Sequence, residues 1–136
     1  MYNCIILSGI PCSGKSRFVK NYAHSYCVIS CDNLRGNNYI FSKENEDEIW
    51  NKFYDILNTA YTNIIIDNTN CKQIYIDKIK KNLNKDFNWN IVVIRFDISL
   101  RKAKIRNIFR YLKTGKYIPN EVMNNMYKNY NKLWKK

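Results

Sequence analysis

The sequence predicts an α/β fold, in which a small, mostly parallel sheet of about four strands lies between helices. Short apolar segments alternate with longer amphipathic ones, three consecutive isoleucines occupy positions 64–66, and a glycine-rich turn follows the first apolar segment. Alternation of strands and helices is typical of βαβ units, whose crossover connections make the strands parallel. Consecutive isoleucines indicate a strand buried on both faces. We therefore expect a three-layer sandwich.

The first half of the chain predicts three strands and two helices. Cys4 to Ser8 forms a short apolar strand, and Lys15 to Ala23 forms a helix after the glycine-rich turn. Tyr26 to Ser30 is expected to be the second strand. Apolar residues recur at i, i+3 and i+4 from Glu44 to Ala60, which indicates an amphipathic helix. The third strand is expected over Asn63 to Asp67.

The second half predicts one more strand and three helices. Ile76, Ile79 and Leu83 mark a helix, and Trp89 to Phe96 the fourth strand. A further helix starts over Leu100 to Phe109 and is broken at 113–116. Pro119 then opens the last helix, because proline is favoured in a first helical turn. The apolar face of that helix is expected to hold Val122, Met123, Met126, Tyr127, Tyr130, Leu133 and Trp134.

Composition and charge narrow the functional classes. The chain has 136 residues, which fits one domain over 1–136. Its net charge is +12, and residues 98–136 carry eleven Lys or Arg against one acid. Such a field attracts polyanions, although solvated lysines are the alternative explanation. No apolar run is long enough for a membrane span and no secretory signal is apparent. Five cysteines without C-x-x-C spacing indicate reduced thiols in a cytoplasmic protein.

The glycine-rich turn reads Gly9-Ile10-Pro11-Cys12-Ser13-Gly14-Lys15-Ser16 and fits the pattern G-x-x-x-x-G-K-[ST]. We expect its glycines to take backbone angles forbidden to other residues, so that main-chain N–H groups face phosphate oxygens. The lysine would reach the β- and γ-phosphates, and the final serine would ligate Mg²⁺. The motif predicts a P-loop NTPase fold that binds ATP and Mg²⁺. Candidate ATP-binding residues are Gly9, Ile10, Pro11, Cys12, Ser13, Gly14, Lys15, Ser16 and Arg17.

An acid and an arginine follow the predicted second strand. Asp32 stands where α/β proteins bind ligands, at the carboxyl end of a strand, and is a candidate general base for an attacking hydroxyl. Arg35 comes three residues later, on the same side of a helical turn, and its planar guanidinium suits phosphate contact. The alternative for Asp32 and Asn33 is a helix cap.

The third predicted strand ends in Asp67-Asn68-Thr69-Asn70. An acid at the end of a buried strand beside a phosphate loop is typically placed to hold Mg²⁺ through water. The same residue types also form plain turns, and the two interpretations are compatible.

The basic segment from Arg101 to Lys116 contains seven Lys or Arg and ends beside Gly115. It is expected to form a helical lid, over approximately 101–118, that closes on phosphates. A lid arginine would neutralise charge on the transferred group. A solvated amphipathic helix explains most of these charges equally well.

Over essentially its whole length, the chain resembles the kinase domain of phage-type polynucleotide 5′-kinases. Five pieces match in order: the phosphate loop, Asp32-x-x-Arg35, Asp67-x-Thr69-Asn70, Arg106-Asn107-x-x-Arg110, and Pro119 leading into Met126-Tyr127-Lys128.

The resemblance implies ATP-dependent phosphorylation of the 5′-hydroxyl of DNA or RNA, for nucleic acid end repair. It implies that Lys15 and Ser16 hold ATP and Mg²⁺ and that Asp32 is the general base. Arg35 would clamp the transferring phosphoryl or the acceptor, supported by Asp67 and Thr69. Arg110 would act from the lid, with Arg106 near the nucleotide. Nucleic acid 5′ ends are the implied partner.

The chain departs from the family pattern in several places. After Asn70 the family often has an arginine, whereas this chain offers only Lys72. The segment between Arg110 and Pro119 is longer, and there is no D-x-D-G-T segment, so a 3′-phosphatase half is not expected. Two alternatives remain open: a P-loop kinase for a small metabolite or an aminoacyl-tRNA hydroxyl, and a non-catalytic module that binds ATP and nucleic acid.

Overall fold

The computed structural model describes residues 1–22 and 24–135, and they form the predicted parallel α/β sandwich. The sheet has four strands in the order β2-β3-β1-β4. Their bounds are Tyr2–Ser8 (β1), Cys27–Ile29 (β2), Ile64–Ile66 (β3) and Trp89–Arg95 (β4). All three pairings are parallel. The carboxyl ends of the strands therefore meet at one edge, where the segments that follow β1, β2 and β3 lie together.

Six helices connect and flank these strands in the described residues. Their bounds are Lys15–Tyr22 (α1), Cys31–Arg35 (α2), Lys43–Thr59 (α3), Gln73–Asn82 (α4), Leu100–Thr114 (α5) and Asn120–Trp134 (α6). The predicted end of the first helix, at Ala23, lies outside the described residues.

Strand β1 lies inside the sheet, between β3 and β4, and most of its apolar residues are buried. Cys4 is paired with Ile64 on one side and with Ile91 on the other. Cys4, Ile6 and all three residues of β3 are completely buried. Consecutive apolar residues at 64–66 thus mark a strand covered on both faces, as predicted. Coverage is incomplete at the outer strand β4, where Val92 keeps 42% of its surface exposed.

Two apolar clusters stabilise the sandwich. Helix α3 contributes Ile49, Phe53 and Leu57 to the larger one, at the predicted i, i+4 and i+8 spacing. The smaller cluster joins α5 to α6 through Ala103, Met123 and Tyr130. Tyr130 also donates a hydrogen bond to the Asp97 carboxylate. Burial of these side chains from water is the main source of the stability of such a core.

The structure differs from the sequence-based bounds by one or two residues at the ends of all four strands, and it adds helix α2. Helix α2 was not predicted as an element, and it forms because the Ser30 hydroxyl accepts from Asn33 N. Serine is a favoured N-cap, so β2 ends before Ser30. Helix α5 ends at Thr114, within the predicted break at 113–116, where Gly115 lies in the left-handed region at φ 76°.

Within residues 1–22 and 24–135, no helix is both long and apolar enough to cross a membrane. All five cysteines are free thiols, and Cys4, Cys31 and Cys71 are buried.

Candidate active site

The phosphate loop joins β1 to α1 at the carboxyl edge of the sheet. Cys12 and Gly14 have positive φ angles of 67° and 108°. The expectation that both glycines take forbidden angles is therefore correct for Gly14 and wrong for Gly9. Gly9 is needed for space instead, because a Cβ there would lie 2.6 Å from Ser13 Oγ and 2.9 Å from Phe96 Cβ. The cysteine takes the left-handed conformation that a glycine would accept more readily.

Lys15 points back into the loop. Its Nζ donates to the carbonyl of Gly9 and lies 3.4 Å from the carbonyl of Ile10. Burial lowers the pKa of Lys15, while Cys71, Asp67 and Asp32 oppose part of that shift. The Lys15 ammonium thus interacts electrostatically with the two acids that the sequence analysis selected, Asp32 and Asp67. An anion brought into the loop would replace these carbonyls as its partner and favour the charged lysine.

The loop contains a buried donor that fits a phosphate. Ser13 Oγ is buried and has no hydrogen-bond partner in the part of the chain that the structure describes. Leaving a buried hydroxyl unpaired costs free energy, and a phosphate oxygen would accept from it. Arg106 lies on the same side, with Nη1 3.1 Å from the carbonyl of Cys12. Arg17 and Arg110 are exposed.

The segment after β3 supports this loop through its main chain and amides. The Thr69 carbonyl accepts from Gly9 N at 2.9 Å. Asn70, at φ 45°, donates to the carbonyl of Leu7 and accepts from Ser8 Oγ through its own carbonyl, both at 2.7 Å. Asn68 Oδ1 accepts from Cys31 N at 2.9 Å. The segment 67–70 thus anchors both the loop and α2.

The residues present fit a magnesium ion held mainly by nucleotide phosphates. The Ser16 hydroxyl and the Asp67 carboxylate are hard oxygen donors, which suit Mg²⁺. Burial raises the pKa of Asp67, and Lys15 opposes that rise, so a cation nearby would favour its charged form. No cluster of three or more His, Cys, Asp or Glu suited to a metal occurs in the described ranges. Mg²⁺ usually binds through one or two protein oxygens plus phosphates and water, so such a cluster is not required.

On the acceptor side, α2 brings Asp32 and Arg35 together. Arg35 Nη1 lies 2.8 Å from Asp32 Oδ1, three residues earlier in the helix. The Asp32 side chain is 89% exposed, whereas that of Arg35 is 17% exposed. The cap interpretation of Asp32 is wrong, because Ser30 caps this helix. Asp32 is therefore available to a ligand at the carboxyl edge of the sheet.

The guanidinium of Arg35 is fixed by a second carboxylate and by a neighbouring aromatic ring. Its Nε and Nη2 donate to the two carboxylate oxygens of Glu46, at 2.9 and 2.7 Å. The ring of Phe41 lies 5.5 Å from its guanidinium carbon, within cation–π range, and Tyr39 donates to Glu46 Oε2 at 2.6 Å. Hydrogen bonding to Glu46 raises the pKa of Arg35, and the same contact lowers the pKa of Glu46. This group, Asp32-Arg35-Tyr39-Glu46, is the acceptor-side network.

Glu46 was missed by the sequence analysis. It lies in the first turn of α3, eleven residues after Arg35, where an acid is expected for the helix dipole alone. The sequence holds four acids between 44 and 48, and nothing in the pattern distinguishes the one that faces the arginine.

The predicted lid, approximately 101–118, corresponds to nearly all of α5 and the turn into α6. Asn107 is buried and fixes this turn, since Nδ2 donates to the carbonyl of Ile118 at 2.8 Å and Oδ1 accepts from Ile118 N at 3.2 Å. Arg106 reaches the phosphate loop, while Arg110, one turn later, is exposed.

Comparisons with known proteins agree with this arrangement. A family model described as an AAA domain matches residues 4–133. The chain is 30% identical over 138 aligned positions to an L-seryl-tRNA(Sec) kinase of Methanococcus maripaludis, a match that covers 93% of this chain and 51% of that protein. The chain thus spans about half the length of this curated relative.

Two solved structures share the fold. A chain of the Pnkp1/Rnl/Hen1 RNA repair complex superposes with a TM-score of 0.78 at 22% identity, covering 96% of this chain and 44% of that one. A gluconokinase from Sinorhizobium meliloti 1021 gives a TM-score of 0.62 at 16% identity, covering 93% and 74%. With the phosphate loop in place and the family model spanning 4–133, the chain belongs to the P-loop kinase-type domains that this AAA-domain family describes.

Proposed function

We propose that the chain transfers the γ-phosphate of ATP to the 5′-hydroxyl end of DNA or RNA. The observation that carries the proposal is the exposed Asp32 carboxylate, which is paired with Arg35 and acts electrostatically on Lys15 of the phosphate loop. A phosphate loop binds the donor, and a carboxylate opposite it is placed to prepare an alcohol.

The reaction is a displacement at the γ-phosphorus. The Asp32 carboxylate takes the proton of the acceptor hydroxyl, whose oxygen then forms a bond to the phosphorus. The bond from the γ-phosphorus to the bridging oxygen breaks, and ADP leaves. Lys15 and the N–H groups of residues 12–16 stabilise the charge on the phosphates. Ser16 and, through water, Asp67 would hold Mg²⁺, which would neutralise further charge on the phosphates.

A nucleic acid acceptor is favoured by charge. Residues 98–136 carry +10 of the net +12, and a basic surface concentrates polyanions through counterion release. A structural neighbour belongs to an RNA repair complex. Asp32 and the remaining N–H groups of Arg35 would contact the first nucleotide, and Thr69 and Asp67 complete the proposed acceptor network.

A second candidate is the hydroxyl of an aminoacyl-tRNA or of a small metabolite. It is supported by the 30% identity to an L-seryl-tRNA(Sec) kinase. Both candidates use the same donor site and base, because a phosphate loop does not identify the acceptor.

An acceptor panel with γ-labelled ATP separates the candidates. The panel holds 5′-hydroxyl DNA, 5′-hydroxyl RNA, seryl-tRNA, nucleosides and sugar alcohols. The proposal predicts label on the 5′-hydroxyl oligonucleotides, with a KM that rises steeply with salt. Label on seryl-tRNA or a small alcohol, with no label on oligonucleotides, would reject it in favour of the second candidate. ATP binding without transfer to any of these acceptors would favour a non-catalytic module.

A further inference from the structure

Helix α5 carries an apolar stripe on its outward side. The stripe consists of Ile105, Ile108, Phe109 and Leu112, whose exposed fractions are 44, 53, 66 and 74%. Their spacing is i, i+3, i+4 and i+7, so all four lie on one strip of the helix, about 100° wide. Contiguous exposed apolar patches on a protein surface mark interaction sites.

The stripe is not the face by which α5 packs on its own domain. The buried residues of α5 are Ala103 and Asn107, which lie on the opposite side of the helix from Ile105 and Leu112 at 100° per residue. Helix α5 thus has one apolar face toward the core and a second toward solvent. The second face extends along the C-terminal turns of the helix as far as Leu112, close to the end of the helix at Thr114.

The stripe is bordered by positive charge. Six basic residues and no acid occur within α5: Arg101, Lys102, Lys104, Arg106, Arg110 and Lys113. Lys104 borders one side of the stripe, and Lys102 and Lys113 border the other, while Arg101 precedes Ile105 by four residues on the same face. The surface is therefore apolar along its centre and cationic at its rim.

These features select one kind of occupant. A second copy of the chain is disfavoured as the occupant. Its own α5 is equally basic and would repel this one. Its α3 has exposed acids, Glu44, Asp47 and Glu48, but no exposed apolar stripe beside them. Nucleic acid is disfavoured because bases stack on aromatic rings, which would leave Ile105, Ile108 and Leu112 exposed to water. A lipid layer would have to take up Arg101 within the apolar face. An amphipathic protein helix has an apolar face as narrow as the stripe. Acidic residues beside that face would pair with the lysines of α5.

We propose that the outward face of α5 is a docking site for an acidic amphipathic helix of a protein partner. The partner helix lays its apolar residues along Ile105, Ile108, Phe109 and Leu112 and places its carboxylates against the flanking Lys and Arg side chains. The site adjoins the phosphate loop through Arg106, whose Nη1 donates to the carbonyl of Cys12. This inference is independent of which acceptor the enzyme uses.

The test is direct binding of a synthetic peptide to the whole chain. The probe is a fluorescent helical peptide of about 20 residues, with leucines at i, i+3, i+4 and i+7 and glutamates beside them. A scrambled peptide of the same composition is the control ligand. We expect anisotropy to report a Kd of about 10 μM or tighter for the probe only, weakening with salt.

Two protein variants keep the test specific. Phe109→Ser combined with Leu112→Ser removes the exposed centre of the stripe and is expected to weaken probe binding by about tenfold or more. Tyr61→Ser, at another 73% exposed position, is expected to leave binding unchanged. Circular dichroism checks that each variant is folded. Equal binding of probe and scrambled peptide, or equal binding by wild type and the double variant, overturns the proposal. The proposal is also overturned if the chain binds anionic vesicles or single-stranded RNA instead of the probe and the double variant loses that binding.

Discussion

The guanidinium of Arg35 donates to both carboxylate oxygens of Glu46, with Nε 2.9 Å from Oε2 and Nη2 2.7 Å from Oε1. This side-by-side geometry joins α2 to the first turn of α3 and fixes the plane of the guanidinium. The same group holds Asp32 through Nη1. The orientation of the candidate base thus depends on an acid eleven residues away from the arginine.

Glu46→Gln is expected to lower kcat by about tenfold, because a neutral amide cannot accept both N–H groups of Arg35 and the arginine loses its fixed plane. The KM for ATP is expected to stay the same, since Glu46 lies on the acceptor side. Steady-state kinetics with the best acceptor of the panel measures both constants.

The matched control for that variant is Glu48→Gln. Glu48 lies on the same helix and pairs with Lys52 at 3.3 Å, both side chains being more than half exposed. Its loss is expected to leave kcat unchanged. Equal kinetics for Glu46→Gln and wild type would contradict the positioning role of Glu46.

Gly9→Ala is expected to weaken ATP binding by about tenfold or more, because the new Cβ would displace Ser13 Oγ and Phe96 and so distort the phosphate loop. Gly36→Ala is the comparison. Gly36 has φ 72°, and no atom lies within 4 Å of the position that a Cβ would take there. Its replacement is therefore expected to cost about 1 kcal/mol of stability and to leave ATP affinity intact. Isothermal titration with ATP measures affinity; an unaltered affinity in Gly9→Ala would show that the loop tolerates the side chain.

Alkaline pH is expected to destabilise the folded chain. Burial raises the pKa of Cys4 from 9.0 to about 12, and burial raises those of Cys31 and Cys71 to about 11. Well below pH 9 these thiols are neutral in both states. Between about pH 9 and 11 all three ionise mainly in the unfolded state, so the free energy of unfolding falls as pH rises.

Comparison with Cys4→Ala isolates one thiol. The contribution of Cys4 to that loss is about 1 kcal/mol at pH 10, so urea unfolding of Cys4→Ala is expected to show a shallower pH dependence than wild type. The lowered pKa of Lys15 acts in the opposite direction and cancels in the comparison. Identical slopes would mean that the Cys4 thiol ionises equally in both states.

Asn107→Ala is expected to cost about 2 kcal/mol of stability, because the N–H and C=O of Ile118 both lose their side-chain partner. Denaturant unfolding measures the loss. Asn90→Ala removes an exposed amide bonded to Asn3 and serves as the control, with a change expected within about 0.5 kcal/mol. A loss no larger than that of the control would exclude Asn107 as the anchor of the turn into α6.

Most of the fold could be predicted from the sequence, because local signals agree with tertiary burial. The run Ile64-Ile65-Ile66 and the i, i+4 spacing of Ile49 and Phe53 report burial directly. The end of α5 was predicted from the segment 113–116 instead, because this segment contains Gly115, which ends the helix. Helix α2 is five residues long, too short for any periodicity to appear.

Candidate site residues could be identified from the sequence only when they belong to a short contiguous motif. The phosphate loop and Asp32-x-x-Arg35 are contiguous, so their spacing carries the information. Glu46 and the support of Gly9 by the Thr69 carbonyl depend on contacts between distant segments. The space requirement of Gly9 depends likewise on Phe96, 87 positions later, and cannot be read from the loop alone.

The measurement that tests the central claim most directly is single-turnover transfer from γ-labelled ATP to a 5′-hydroxyl oligonucleotide by wild type and Asp32→Asn. The account predicts that the variant binds ATP as tightly as wild type and transfers phosphate about 10² to 10⁴ times more slowly. Transfer by Asp32→Asn at the wild-type rate, with ATP bound equally, would contradict the assignment of Asp32 as the base.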